Sequence, residues 1–204
     1  MSPDPKEWSH GLPLRGRFTH LRPLRTDDYE WLHFAMSDPR VAYRYRYRGG
    51  TSNPEQFVSQ LWAGVLAQYM IVTPNDDKVG LVAVYNADLS DGTAYFAAFI
   101  DSDLQQKGWP FEAVAIFIDY VFTLWSLRWL YFEALEFNYD SIASGSGRFL
   151  QELGRLPGHA VVMGVETDLV IGGIKGTDWA RMRAESPLAP LLDPVWKPRN
   201  RELR

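Results

Sequence analysis

The chain contains no cysteine, which excludes disulfides, thiolate metal sites and a cysteine nucleophile. Histidine is scarce, and His10, His20, His33 and His159 show no paired ligand spacing, so no metal site is expected. Long basic blocks are missing and the formal net charge is −4, which argues against nucleic-acid binding driven by overall electrostatics. The longest apolar run, Phe111 to Trp125, is interrupted by Glu112 and Asp119 and falls short of the roughly 20 residues a membrane span requires. The opening "MSPDPKEWSHG" lacks the apolar core of a secretory signal, so the cytoplasm is the expected compartment.

What is present is enough apolar and aromatic residue, 46% and 14%, for one well-buried core. The expected organisation is an N-terminal extension over 1–16, one domain over 17–185, and a proline- and arginine-rich tail over 186–204. The aromatic excess suits either a filled core or a homodimer interface.

Periodicity predicts a strand over Phe18–Leu24, then a helix over "TDDYEWLHFAMSDP" capped by Asp27 with Glu30. A second helix starts at Asn53-Pro54, with Phe57, Val58, Leu61, Trp62, Val65 and Leu66 on one face. Tyr69 to Asp101 alternates strand and turn as an antiparallel meander. An apolar helix over Pro110–Ser126 leads to a strand over Arg128–Phe137, a short helix within Ser141–Leu153, and two strands paired around Thr167-Asp168. The fold class is therefore α/β (α+β), with a mixed, mainly antiparallel sheet and helices on both faces. The helix after the meander joins strands that would be parallel neighbours, and their divergence would leave a central crevice.

Ordered short signals carry a resemblance. "LRPLRTDDYEWLHFAMSDPRV", "KVGLVAVYNADLSDGTAYFAAFID", "QQKGW", "EALEFNYDSIAS" and "TDLVIGGIKGTDW" resemble successive parts of the GNAT N-acyltransferase superfamily, in the branch of ribosomal-protein and small-molecule N-acetyltransferases. The resemblance spans Phe18 to Met182. It implies an acyltransferase that moves an acyl group, acetyl in the first instance, from acyl-CoA to the primary amine of a small molecule or peptide by direct attack in a ternary complex.

It also implies residue roles. Gln105, Gln106, Lys107, Gly108 and Trp109 would hold the CoA pyrophosphate on backbone N–H groups at a helix start, which suits a dianion. The backbone of Phe99, Ile100 and Asp101 would hold the pantetheine arm together with Asn138. Tyr139 or Ser141 would protonate the departing thiolate; a phenol is the better acid, whereas Ser141 stands where this branch often has its hydroxyl. Pro110 departs from the family pattern, since it has no N–H to give although it suits the first turn of a helix.

For the general base the residues leave Asp101, Glu133, Glu136 or a water, with Glu136 preferred because it shares strand parity with Asn138. The run "YRYRYRGG", if extended, puts Arg44, Arg46 and Arg48 on one side and the tyrosines on the other. It reads either as a solvated edge or as an anion-reading patch for an acidic acceptor, a carrier protein or RNA. With Pro110 it motivates an alternative with a non-CoA donor, namely aminoacyl-tRNA or a carrier-protein thioester; a catalytically silent binding module that kept the fold is the third reading. "SGSG" lacks the spacing of a nucleophile elbow, and "GGIKGTD" lacks the order of a nucleotide-triphosphate loop.

Overall fold

Local chemistry sets most element ends. The side chain of Asn53 accepts from the backbone N–H of Gln56 at 2.8 Å, and Pro54 opens the helix behind it. In the turn after Asp88, that carboxylate accepts from the N–H groups of Ser90 and Asp91, and Gly92 takes a φ of 64°. The computed structural model describes residues 14–45, 48–50, 52–104, 110–142 and 149–185, the side chain of Ser141 excepted.

The elements run β1 (His20–Arg22), α1 (Thr26–Ser37), a 3-10 turn (Ala42–Arg44), α2 (Pro54–Leu61), β2 (Val65–Val72), β3 (Lys78–Asp88) and β4 (Thr93–Ile100). They continue with α3 (Pro110–Leu124), β5 (Trp129–Leu135), α4 (Glu136–Ile142), β6 (Leu150–Val162), β7 (Val165–Lys175) and α5 (Gly176–Glu185). One 7-stranded sheet has the order β1-β2-β3-β4-β5-β7-β6, and only the β4–β5 pair is parallel. Alternation along each strand divides the core. Ile71, Val82, Val84, Leu130 and Ile174 pack with Phe117 and Trp179 under α3 and α5; Met70, Leu81 and Phe99 pack with Leu32 and Phe57 under α1 and α2.

Several boundaries differ from expectation. The carboxylate of Asp28, not that of Asp27, accepts from the N–H of Arg25 at the start of α1, and it is also gripped by the buried Arg22 guanidinium at 2.6 and 3.0 Å. α2 stops at Leu61, so Val65 and Leu66 belong to β2. β5 ends at Leu135 and the helix follows at once, so α4 starts ahead of the expected Ser141–Leu153 window and overlaps it only at Ser141 and Ile142. The last hairpin turns at Met163-Gly164, where both residues have positive φ (51° and 80°) as a two-residue turn of primed type needs. Thr167 and Asp168 are therefore inside β7. α5 was not expected; its Trp179 stands edge-on to Phe149 and donates to Asp119 of α3.

Candidate active site

β4 and β5 pair only over Thr93–Tyr95 and Trp129–Tyr131. Beyond those residues β4 continues to Ile100 and β5 to Leu135 with no pairing between them, so the sheet opens into a wedge. Gly80 holds the far end of β4 close to β3, since a Cβ there would lie 2.1 Å from the Phe99 carbonyl oxygen. The wedge presents main-chain polar groups that a strand neighbour would otherwise take. Such a slot suits an extended ligand with amide groups.

The segment after α1 crosses the mouth of this wedge. The hydroxyl of Tyr45 donates to the carbonyl of Ile100 at 3.4 Å, and its ring meets Phe99 edge-on with centroids 4.8 Å apart. On the other side Asn138 of α4 donates from Nδ2 to the carbonyl of Arg44 at 2.9 Å. Arg44 returns a long contact from Nη1 to Asn138 Oδ1 at 3.5 Å. Its guanidinium carbon lies 5.4 Å from the ring centres of both Tyr43 and Phe137. Residues 42–44 are not extended, so the expected separation of arginines from tyrosines does not hold: a 3-10 turn brings Arg44 back onto Tyr43, with Nε donating to its hydroxyl at 3.1 Å.

The structure thus gathers Phe99, Ile100, Arg44 and Asn138 at one mouth, while other expected site residues stand elsewhere. Glu136 is helical, so strand parity no longer relates it to Asn138. Its carboxylate accepts from Arg155 at 2.5 Å, and Arg155 also holds Glu152 and Asp168. Tyr139 is buried, with its ring 6.3 Å from that of Phe132 at 19° and Leu150 and Val170 beside it. Phe99 likewise buries its side chain, leaving only its backbone for a ligand. The Asp101 carboxylate accepts from the N–H of Asp103 and shapes the turn after β4. Arg48 is exposed at a positive φ of 46°. Gln105, Gln106, Lys107, Gly108, Trp109 and Arg46 lie outside the described residues, as does the side chain of Ser141.

α3 begins at a buried Pro110. In its first turn Glu112 accepts from the N–H groups of Arg17, Phe18 and Thr19 and from the Thr19 hydroxyl, at 2.7 to 2.9 Å. This carboxylate ties residues 17–19, ahead of β1, to the first turn of α3; the sequence held no signal for a contact across more than 90 residues. Tyr45 as a partner of Ile100 was missed for the same reason.

The family model described as an acetyltransferase (GNAT) domain matches residues 19–154. The chain belongs to the GNAT acetyltransferase family.

Solved structures agree in fold. A spermidine N-acetyltransferase from Vibrio cholerae in complex with CoA and spermine matches with a TM-score of 0.69 at 17% identity, over 79% of this chain and 98% of that one. A protein proposed to be a phosphinothricin N-acetyltransferase matches with a TM-score of 0.62 at 18% identity, over 77% and 98%. No curated protein sequence matches. This GNAT protein is an acyltransferase. Its wedge is the parallel-strand crevice expected from the sequence, and its sheet is mixed and mainly antiparallel as expected. Among the described residues no helix is long and apolar enough to cross a membrane.

Proposed function

We propose that the protein transfers an acetyl group from acetyl-CoA to the primary amine of a small molecule, by direct attack within a ternary complex. The observation that carries this reading is the wedge between β4 and β5, which opens beyond Tyr95 and Tyr131 and ends beside Ile100 and Asn138. The pantetheine amides would pair with the main chain of Phe99–Asp101 and with the Asn138 carboxamide. Tyr45 and Arg44 hold the Ile100 carbonyl and the Asn138 side chain, so both polar groups are already oriented toward the mouth.

The pyrophosphate would rest on backbone N–H groups of Gln105, Gln106, Lys107, Gly108 and Trp109 ahead of α3. Pro110 supplies no donor there, although it costs the helix nothing at its first position. In the reaction the amine nitrogen bonds to the thioester carbon, the carbon–sulfur bond breaks, and the thiolate takes a proton from Ser141, since Tyr139 is packed against Phe132, Leu150 and Val170. Glu136 already accepts from Arg155 and Asp101 from the N–H of Asp103, so a water relay to Glu133 is the better route for the proton leaving the amine.

Thiol release from acetyl-CoA, followed across a panel of primary amines, tests this. Amine-dependent release that saturates in both substrates is the expected result. Absence of release with every amine would sink the proposal. A gel shift with aminoacylated tRNA would then test the donor suggested by the arginine run and Pro110.

A further inference from the structure

Every arginine that pairs with a carboxylate has its charge locally cancelled. Arg22, Arg25, Arg40, Arg155, Arg181 and Arg183 are of this kind. Arg44 is different. It is half-buried and held in place, yet among the described residues no carboxylate lies against it. Its fixed contacts are neutral: the Tyr43 hydroxyl, the Asn138 amide oxygen and the faces of two aromatic rings.

Such an arrangement orders a guanidinium without neutralising it. The two rings restrain its orientation, Nε and Nη1 are engaged, and Nη2 has no partner among the described residues. An ordered fork with spare donors and a full charge recognises a carboxylate or phosphate, because little side-chain entropy remains to be lost on binding. The neighbouring sequence adds to the charge. From Val41 to Gly50 the chain carries Arg44, Arg46 and Arg48 and no acidic residue.

Position gives this charge its meaning. The carbonyl of Arg44 is bonded to Asn138 and the next residue is bonded to Ile100, so the guanidinium stands at the mouth of the wedge. An amine that reached a thioester lodged in the wedge from this side would pass it. We propose that Arg44 selects the acceptor, and that the acceptor is a small primary amine bearing a carboxylate or phosphate near its nitrogen, not a polyamine. The anion seats on Arg44 while the nitrogen points into the wedge. A polycation meets an uncompensated positive charge at the same place. This rests on the acetyl-transfer reading for the nature of the acceptor, although the anion site itself does not.

The test pairs amines that differ in one anionic group: phenethylamine with phenylalanine, and ethanolamine with phosphoethanolamine, with spermidine as the polycation. Thiol release from acetyl-CoA gives kcat/KM for each. An anionic member favoured by about tenfold or more is expected, carboxylate and phosphate being told apart by the two pairs. Arg44→Gln is expected to bring the ratio close to 1 by raising KM for the anionic member, and Arg44→Lys to keep part of the preference. Preference for spermidine or for the uncharged members would overturn the inference, as would an unchanged ratio in Arg44→Gln.

Calorimetric titration of phenylalanine and phosphoethanolamine into the protein, without turnover, provides the second arm. Binding of either by the wild type and its loss in Arg44→Gln, with the thermal midpoint retained, supports the site. No binding of either, or equal binding in the variant, contradicts it. If the anion binds through Arg44 and no amine is acetylated, the acetyl-transfer reading fails alone.

Discussion

Asn138 and Arg44, separated by 94 positions, are joined by a 2.9 Å hydrogen bond from the Asn138 Nδ2 to the Arg44 carbonyl. The bond fastens the segment after α1 to the helix after β5, so the two sides of the wedge mouth are positioned together. It also sets the charge there, because the Asn138 oxygen facing the guanidinium is neutral.

Asn138→Asp should reverse that electrostatic setting with little change of volume. The new carboxylate would pair with the Arg44 guanidinium, so an anionic acceptor would meet a neutralised site. The expected outcome is a KM for the preferred anionic amine raised by about tenfold, measured by thiol release at fixed acetyl-CoA. A lower KM would show that the mouth does not read an anion.

The buried pair between Arg22 and Asp28 should dominate acid stability. Burial pushes the Asp28 carboxyl up, but hydrogen bonds from Arg22 and from the N–H of Arg25, with the charges of Arg22 and Lys78, outweigh it and leave it below the ordinary aspartate range. A depressed carboxyl stabilises the fold fully above its unfolded value, near ~3.9, and loses that contribution as pH falls through the folded value. The thermal midpoint should therefore hold from neutral pH to about 5 and fall below about 4. Asp28→Ala should cost about 3–5 kcal/mol by leaving Arg22 buried without its main partner. A midpoint that falls as pH rises from 5 to 7 would contradict the assignment.

Gln68 is buried in β2, and neither of its side-chain polar atoms has a partner among the described residues. Replacement by Met, close in volume, should remove an unmet desolvation cost and stabilise by about 1–3 kcal/mol. Denaturant unfolding of the two proteins measures this directly, and a destabilised variant would show that a bound water satisfies the amide.

Much of the fold was legible because its signals are local. Asn53-Pro54 announced α2, the turns after Val72 and Asp88 announced the meander, and the long, mostly apolar run after Pro110 announced α3. The β5–α4 boundary was not, because the apolar alternation of "LYFEALEF" runs on past Leu135 while the helix is fixed by tertiary contacts, including that of Glu136 with an arginine 19 positions on. The last hairpin was misplaced because Met163 is not a turn former, yet it adopts the positive φ that its neighbour Gly164 accepts freely. At the wedge mouth stand Ile100 and Asn138, which the resemblance carried by short motifs had singled out. The partners that hold them, Tyr45 and Arg44, come from a segment about which alternation alone suggested the wrong conformation.

Pro110→Ala adds one backbone N–H at the start of α3 and keeps a good helix former there. CoA should bind the variant more tightly, by about 1.5–3 kcal/mol if the donor reaches a phosphate. Equal or weaker affinity would mean that Pro110 stands away from the pyrophosphate.

The central claim is that the wedge between β4 and β5 receives acetyl-CoA, and calorimetric titration of acetyl-CoA into the wild-type protein and Asn138→Ala tests it most directly. The account predicts saturable binding at about one site per chain, weakened about tenfold or more in the variant by loss of a pantetheine hydrogen bond. Absence of saturable binding by the wild type, or equal affinity in the two proteins, would contradict it.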